Sequence, residues 1–271
     1  MIFFSSVNLM SIFIGVPCYG GMIHANFAQC LMGVSRALAQ NKINHTIEFL
    51  GSDSLISRAR NSIVAKFYSQ PEWSHLLFLD SDLMFSGESV LKMIQEDKEL
   101  IGCPYPKKIY NWEKVAQTIK DGKDVNEHKP LLTDINYNFL SSKEEVEIND
   151  TCVKVKDIPT GFMLIKRSVI TSLMMAYPER KYKNNIAGQG EDNSKDFYFD
   201  LFSTGVVNGF YLSEDYYFCH LVRSLGIECW LETGFTLGHI GKETFYGNLA
   251  LQLNHFKGDN LNLDRQHIKN G

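Results

Sequence analysis

HLLFLDSDLMF, residues 75–85, is the stretch whose reading decides the fold. The apolar run ending at Asp80 is bounded by a polar turn and has the length of a buried strand rather than of a helix. Its end delivers Asp80 and Asp82 one residue apart. Two carboxylates held that close raise each other's pKa unless a cation sits between them, so a cation is expected at this strand end.

Upstream of it, SIFIGVPCYG (11–20) reads as a buried strand closing in a Pro/Gly turn, and ANFAQCLMGVSRALAQ (25–40) carries apolar residues at helical spacing. HTIEFLG (45–51) is a second strand and SLISRARNSIVAKFYSQ (54–70) a second helix. Strands and helices alternating over short connections argue a parallel sheet flanked by helices. Downstream, ESVLKMIQEDKE (88–99) and LIGCPYP (100–106) continue the pattern. Residues 107–150 turn polar, as an inserted or edge segment on the surface would. Order returns at KDIPTGFMLIKRSVITSLMMA (156–176), LSEDYYFCHLVRSLG (212–226), IECWLE (227–232) and LGHIG (237–241). The polar stretch 178–196 has the length of an active-site lid.

The totals narrow the class. With 271 residues, 44% of them hydrophobic, the chain can bury a sizeable core. A net charge of −4 offers no overall basic field for nucleic acid, although a local groove would not show in the total. Six cysteines without a CxxC pair suggest neither a zinc knuckle nor a disulfide framework, and reduced cytoplasmic thiols are expected. No run approaches the ~20 apolar residues of a membrane span. MIFFSSVNLM opens the chain without the marks of a signal peptide, and residues 1–9 read as a leader.

In an open α/β sheet, ligands bind beyond the carboxyl ends of the strands, where Asp80 and Asp82 sit. Asp-x-Asp there suits Mg²⁺ or Mn²⁺ bridging a diphosphate, and the competing reading is a turn in which both aspartates cap local amides. Twenty positions upstream, Ile56, Ala59, Ile63 and Phe67 form a core stripe with Arg60 on its flank. An arginine so placed needs an anion, either Asp80 or Asp82 or the phosphates of a ligand, and Asn61 lies beside it. Ser213 opens a helix with Glu214 and Asp215 in its first turn, which by itself satisfies the helix dipole. His239 stands between glycines in GHIG, where backbone can approach closely. Thr160-Gly161 is a tight turn before a strand, and CPYPKK (103–108) sets Tyr105 and Lys107 beside the expected cleft, for stacking on a sugar and pairing with a phosphate.

ARN at 59–61 followed by FLDSD at 78–82 resembles the nucleotide-binding half of GT-A glycosyltransferases, particularly the family-2-like ones of large viruses and phages. The same stretch is similar to that of the fungal mannan-polymerase mannosyltransferases. The resemblance implies a single α/β GT-A domain over 10–250, with a Rossmann-like, mostly parallel sheet. A nucleotide-sugar half would occupy 11–106, an acceptor and catalytic half 156–241, and a tail 251–271. It implies that Pro17, Tyr19, Arg60, Asn61, Asp80 and Ser81 bind the nucleotide sugar, and that Asp82, with His239 and Asp80, binds Mn²⁺ or Mg²⁺. Asp215 would be the general base, Glu214 would orient it or the acceptor, and Lys242 would assist at the diphosphate. Tyr105, Thr160 and Gly161 would fall on the sugar or acceptor side. The implied activity is transfer from a UDP- or GDP-sugar to a glycan, a protein or hydroxymethylated cytosine in DNA. Inversion is favoured, and the mannan-polymerase likeness leaves retention open. Lys107, Lys108, Lys181 and Lys183 are the candidates for a DNA groove. The rivals are a nucleotidyltransferase, for which Val16–Gly21 is a poor phosphate loop, and a nucleotide-sugar-binding module without turnover.

Overall fold

The computed structural model describes residues 10–51, 53–135, 148–149, 151–186 and 193–255. The expected leader 1–9, residues 187–192 of the expected lid and 256–271 of the expected tail lie outside the described residues.

The first half alternates as the sequence suggests: β1 (Ser11–Cys18), α1 (Ala25–Gln40), β2 (Asn44–Gly51), α2 (Ile56–Tyr68), β3 (His75–Leu79), β4 (Leu83–Met84), α3 (Gly87–Gln95) and β5 (Leu100–Gly102). Then come β6 (Pro106–Tyr110), α4 (Trp112–Lys120), β7 (Thr133–Ile135), β8 (Ile148–Asn149), β9 (Cys152–Val155), β10 (Phe162–Lys166) and α5 (Arg167–Ala176). The chain continues through β11 (Gly205–Val207), β12 (Phe210–Leu212), α6 (Glu214–Ser224), β13 (Cys229–Glu232), β14 (Leu237–Ile240), β15 (Thr244–Gly247) and α7 (Leu249–His255). The last helix therefore extends five residues into the expected tail.

The central sheet has eight strands in the order β2-β1-β3-β10-β5-β13-β9-β8. β1 is parallel to β2 and β3, and β13 to β5, whereas β10 is antiparallel to both its neighbours and β9 to both of its own. Six of the eight strands thus run one way. This is the α/β class expected, with a mostly parallel central sheet flanked by helices. The strands that run against the majority are β9 and β10. β9 turns back directly from β8 through a hairpin, and β10 begins at the carboxyl edge, where the Gly161 carbonyl meets the Asp80 N–H.

Every residue of β1 is buried, as in a strand covered on both faces. Ile12, Ile14 and Val16 face α1 and α3 with Phe27, Val34, Leu38, Val90 and Met93, while Phe13 faces α2, α5 and α6 with Ile63, Phe67, Ile170 and Phe218. Gly15 has no room for a Cβ because the Ile63 side chain occupies that space, so α2 lies directly on the sheet. Of the predicted stripe on α2, Ala59, Ile63 and Phe67 are buried but Ile56 is 43% exposed. Ile56 is the first residue of the helix and stands at the mouth of a cleft rather than over the sheet.

The polar segment after β5 is more than a surface insertion. β6 pairs with β7, and β6 packs against β15 and β14, which with β4 make a small three-stranded sheet at the carboxyl edge. Leu131, Leu132 and Ile135 are buried beneath it. Among the described residues no helix is long and apolar enough to cross a membrane.

Candidate active site

The cleft at the carboxyl edge has a volume of about 210 Å³ and is lined by the ends of the first three strands: Pro17 to Tyr19, Leu50, and Asp80 to Asp82, with Asp53, Ser54, Ile56 and Ala59. Tyr19 opens a tight turn in which Gly20 and Gly21 take φ of 65° and 72°, a region that side chains disfavour. Tyr19 is largely exposed, and Ser81 takes part through its carbonyl, which accepts from the His24 N–H at 3.4 Å.

Asp80 leaves β3 with its N–H donating to the Gly161 carbonyl at 2.8 Å. Its carboxylate accepts a fork from Arg60, Nη1 to Oδ1 at 3.2 Å and Nη2 to Oδ2 at 3.3 Å. Gly161 is required there, since a Cβ would meet Asp80 Oδ2 at 2.6 Å and collide with the Tyr105 hydroxyl. Tyr105 is buried and its oxygen accepts from the Gly161 N–H at 3.2 Å. Burial, then the neighbouring Asp80, push its phenol well above the usual range, so it stays protonated. Its ring lies edge-on to His239, 5.2 Å between centroids, an inner wall rather than an open stacking surface. The Thr160 hydroxyl is buried without a hydrogen-bond partner among the described residues.

Arg60 is buried on α2, its guanidinium 5.6 Å from the centroid of the Phe78 ring. Its Nε lies 3.5 Å from Glu214 Oε1, at ion-pair distance though not aligned as a hydrogen bond. Burial works against its charge, but Asp80 and Glu214 more than offset that and hold it protonated. One arginine therefore joins the strand-end aspartate to the first turn of α6, 134 residues beyond Asp80 in the chain. Asn61 turns the other way, bonding Asp200 Oδ1 at 2.9 Å and accepting from the Leu201 and Phe202 N–H groups at 3.1 and 2.9 Å. It clamps the segment leading to α6.

Ser213 occupies the N-cap position of α6, yet its hydroxyl caps no backbone N–H and instead donates to Asp215 Oδ1. The same oxygen accepts from the Tyr216 N–H at 2.9 Å. Burial raises the Asp215 pKa, as does Glu214, against the pull of Ser213, Tyr216 and Arg60. A carboxylate more basic than usual, oriented by a hydroxyl and a backbone amide, is suited to accept a proton.

β14 pairs with β4 so that His239 stands opposite Leu83, and the Ile240 N–H donates to the Asp82 carbonyl at 2.7 Å. His239 Nε2 then lies 3.4 Å from Asp82 Oδ2, and its Nδ1 lies 2.8 Å from the Pro106 carbonyl. Lys108 Nζ reaches the same Asp82 oxygen at 2.5 Å. Burial acts to raise the Asp82 pKa, but the bonds to His239 and Lys108 bring it down to about 2. Because the Pro106 carbonyl only accepts, the Nδ1 hydrogen is directed to it, and Nε2 is the ring nitrogen left to face the Asp82 carboxylate. An imidazole nitrogen and a carboxylate facing one another are a donor set for a divalent cation of the Mn²⁺ or Mg²⁺ kind, which would take the place of the proton between them, and the residues fit one.

The predicted residues thus assemble in part. Asp80, Asp82, Arg60, Glu214, Asp215, Tyr105, Gly161 and His239 converge on one region, but Asp80 is turned to Arg60, so the pair facing a metal position is Asp82 and His239. Lys242 is exposed and makes none of these contacts; Lys108, read from the sequence as a candidate for a DNA groove, is the cation at Asp82. Its signal was the repeated lysine of PKK directly after Tyr105. A separate group, Glu96, Cys152 and Glu232, brings three ligand-type atoms within 4.8 Å on the other half of the sheet. There Glu232 already accepts from the Thr151 hydroxyl at 2.5 Å and the Gly234 N–H at 2.7 Å.

The site and sheet define an α/β protein with a carboxylate-lined ligand cleft at the strand ends. No protein-family model matches the chain, and no curated protein does. Among solved structures it is similar to A197 from STIV, at 13% identity and a TM-score of 0.46 over 88% of this chain and 95% of that one. It is also similar to the catalytic domain of Drosophila beta1,4-galactosyltransferase 7 in complex with xylobiose, at 10% identity and a TM-score of 0.39 over 89% and 71% of the two chains. A mutant of that enzyme in complex with manganese, UDP-Gal and xylobiose gives 11% identity and a TM-score of 0.37 over 92% and 74%. Likenesses this distant assign no activity to this chain.

Proposed function

We propose that the chain is a metal-dependent glycosyltransferase that moves a sugar from a UDP- or GDP-linked donor to an acceptor hydroxyl. The observation that carries the reading is Arg60, buried between Asp80 and Glu214, because it ties a nucleotide-type cleft to a carboxylate of raised pKa in one site. A binding module has no need of the second group.

In this reading Pro17 and Tyr19 line the base and ribose, Asp80 and Ser81 close the cleft around the ribose and phosphates, and Asp82 with His239 holds Mn²⁺ or Mg²⁺. The ion, when bound, supplies positive charge to offset the charge on the departing diphosphate. Lys108 takes the supporting role expected of Lys242. Asp215 accepts the proton of the acceptor hydroxyl as that oxygen bonds to the anomeric carbon and the bond from that carbon to the diphosphate breaks. With a base on the acceptor side, the reaction inverts the anomeric centre. Glu214 pairs with Arg60 and orients Asp215 or the acceptor. Residues 10–250 form the catalytic domain, with the donor half over 11–106 and the acceptor half over 156–241. We assign the reaction to the cytoplasm, in keeping with six unpaired cysteines.

The test is thermal stabilisation of the purified chain by UDP-, GDP-, CMP- and dTDP-sugars with and without Mn²⁺, beside an Asp82→Ala variant. A manganese-dependent shift with one nucleotide, absent in the variant, is the expected result. No shift with any of them returns the Asp-x-Asp to a well-capped turn.

A further inference from the structure

Between the segment clamped by Asn61 and the acidic start of α6, the chain forms a hairpin that the reading above leaves unused. β11 and β12 pair as an isolated two-stranded ribbon, with Val206 opposite Tyr211 and Val207 opposite Phe210. Asn208 and Gly209 join them with φ of 49° and 84°, the two left-handed residues of a tight type I′ connection. Such a turn sets the register and the twist, so the ribbon is a shaped element rather than a slack loop.

Its side chains are out of place for a ribbon facing water. Phe210 is 73%, Tyr211 72% and Val206 70% exposed, and alternation along β12 puts the two aromatic rings on opposite faces. An isolated hairpin is marginal in water, and an apolar one gains nothing from leaving both faces bare. The root is firm: Gly205 leaves just enough space for the ring of Tyr217, whose hydroxyl accepts from Arg180 Nη2 at 2.5 Å and whose face lies 4.9 Å from the guanidinium. Two residues after Tyr211 the chain reaches Ser213, which orients Asp215. The hairpin is thus joined through Leu212 to the residue that orients the proposed base.

Charge decides what they stack against. From residue 196 to residue 222 there is no lysine or arginine, while Asp196, Asp200, Glu214 and Asp215 supply four acids. A platform for single-stranded nucleic acid combines aromatic rings with a basic groove that tracks phosphates. Here the rings are present and the hairpin itself carries no cation, while Arg180 at its root is engaged with Tyr217. A sugar ring offers the complementary surface: C–H faces for the rings, hydroxyls for the acids and water, and no charge to be repelled.

We infer that the hairpin 205–212 is the acceptor platform and that the acceptor is an uncharged glycan rather than DNA. The inference rests on the glycosyltransferase reading, of which it specifies the substrate class. The test uses the full chain with Mn²⁺ and UDP or GDP, whichever stabilises it. Saturation-transfer NMR is recorded with malto-, cello-, manno- and chitotetraose and with a twelve-nucleotide single strand, and repeated with Phe210→Ser/Tyr211→Ser and with Tyr211→Ser alone. Both side chains are exposed, so both variants are expected to keep the melting temperature and the nucleotide shift of the parent. The expected result is transfer to at least one neutral tetraose, weakened tenfold or more in the double variant, and none to the oligonucleotide. Oligosaccharide binding untouched by the double variant, salt-sensitive oligonucleotide binding lost in it, or silence from all four sugars with the nucleotide bound would each overturn the inference. Sugar binding that depends on the hairpin in a chain that binds no nucleotide would support the platform and sink the transferase reading instead.

Discussion

His239 faces Asp82 across 3.4 Å with its other ring nitrogen anchored on the Pro106 carbonyl. The anchor holds Nδ1, and β14 pairing with β4 fixes the ring's position, so Nε2 has one direction in which to point. His239→Ala is expected to weaken Mn²⁺ binding by roughly tenfold or more, the scale seen when a ligand's geometry is lost, and Asp82→Ala to abolish it. Titration of the paramagnetic signal of free Mn²⁺ reads both. Affinity unchanged in the two variants would place any metal elsewhere.

Lys108 holds the Asp82 oxygen for which a bound divalent cation would compete. The lysine stem passes Gly241, where an added Cβ would lie 3.2 Å from Lys108 Cδ, so the approach depends on that glycine. Replacing Lys108 with alanine removes the competitor and is expected to tighten Mn²⁺ binding while slowing turnover, because the diphosphate loses a supporting charge. A variant that binds Mn²⁺ more weakly would show that the lysine helps hold the ion rather than opposing it.

Arg60 compensates two carboxylates at once, and removing one partner of a buried ion pair typically costs about 3–5 kcal/mol. Asp80 and Glu214 keep some contact with solvent, which places Arg60→Met near the lower figure, about 3 kcal/mol. Urea unfolding measures it. Arg60→Lys keeps the charge without the fork and is expected to fold better than the methionine variant yet lose nucleotide affinity.

Much of this arrangement was legible in the sequence, and what was not has a common cause. Local periodicity marked β1, α2, β3 and α6, since each buries one face or both and writes that into three or four residues. The pairing of Arg60 with Asp80 was also within reach, because a semi-buried guanidinium on a core-facing helix has few anions to choose from. The antiparallel insertion of β10 was hidden: its burial pattern is that of any central strand, and direction is set by the edge from which the chain enters. Lys108 was hidden for a related reason, as it belongs to a polar segment whose place over the cleft depends on β6 packing against β14 and β15. Ser213 holds the N-cap position of α6, as its place in the sequence suggests, but its hydroxyl bonds the Asp215 carboxylate and accepts from no backbone N–H, a choice of partner that position alone does not reveal.

Asp215 is more basic than an ordinary aspartate because it is buried beside Glu214. If it takes the acceptor's proton, activity falls as pH drops through that raised value, so the acid limb of kcat/KM should lie above the ordinary aspartate pKa of about 3.9. Asp215→Asn is expected to lose roughly 10²- to 10⁴-fold in kcat, the usual contribution of a general base, with nucleotide binding retained. Loss of nucleotide binding in this variant would assign the residue to the donor site.

His75 gives the fold its own pH dependence, away from the cleft. It begins β3, where burial first and the nearby Lys166 second lower its pKa from 6.5 to about 4, against a smaller pull from Asp97. The folded state therefore keeps the ring neutral while the unfolded chain, below about pH 6.5, takes up a proton. Stability is complete above that pH, and the histidine's contribution is lost as pH falls towards 4. The full difference is about 3 kcal/mol from the linkage relation, less whatever relaxation around the strand start recovers. Urea unfolding at pH 7.5, 5.5 and 4.5 should show the wild type losing stability faster than His75→Leu, the gap between the two curves opening only below pH 6.5. Parallel curves would mean that the ring is protonated in the folded chain, with the Ser74 hydroxyl, 2.8 Å from Nδ1, accepting its proton.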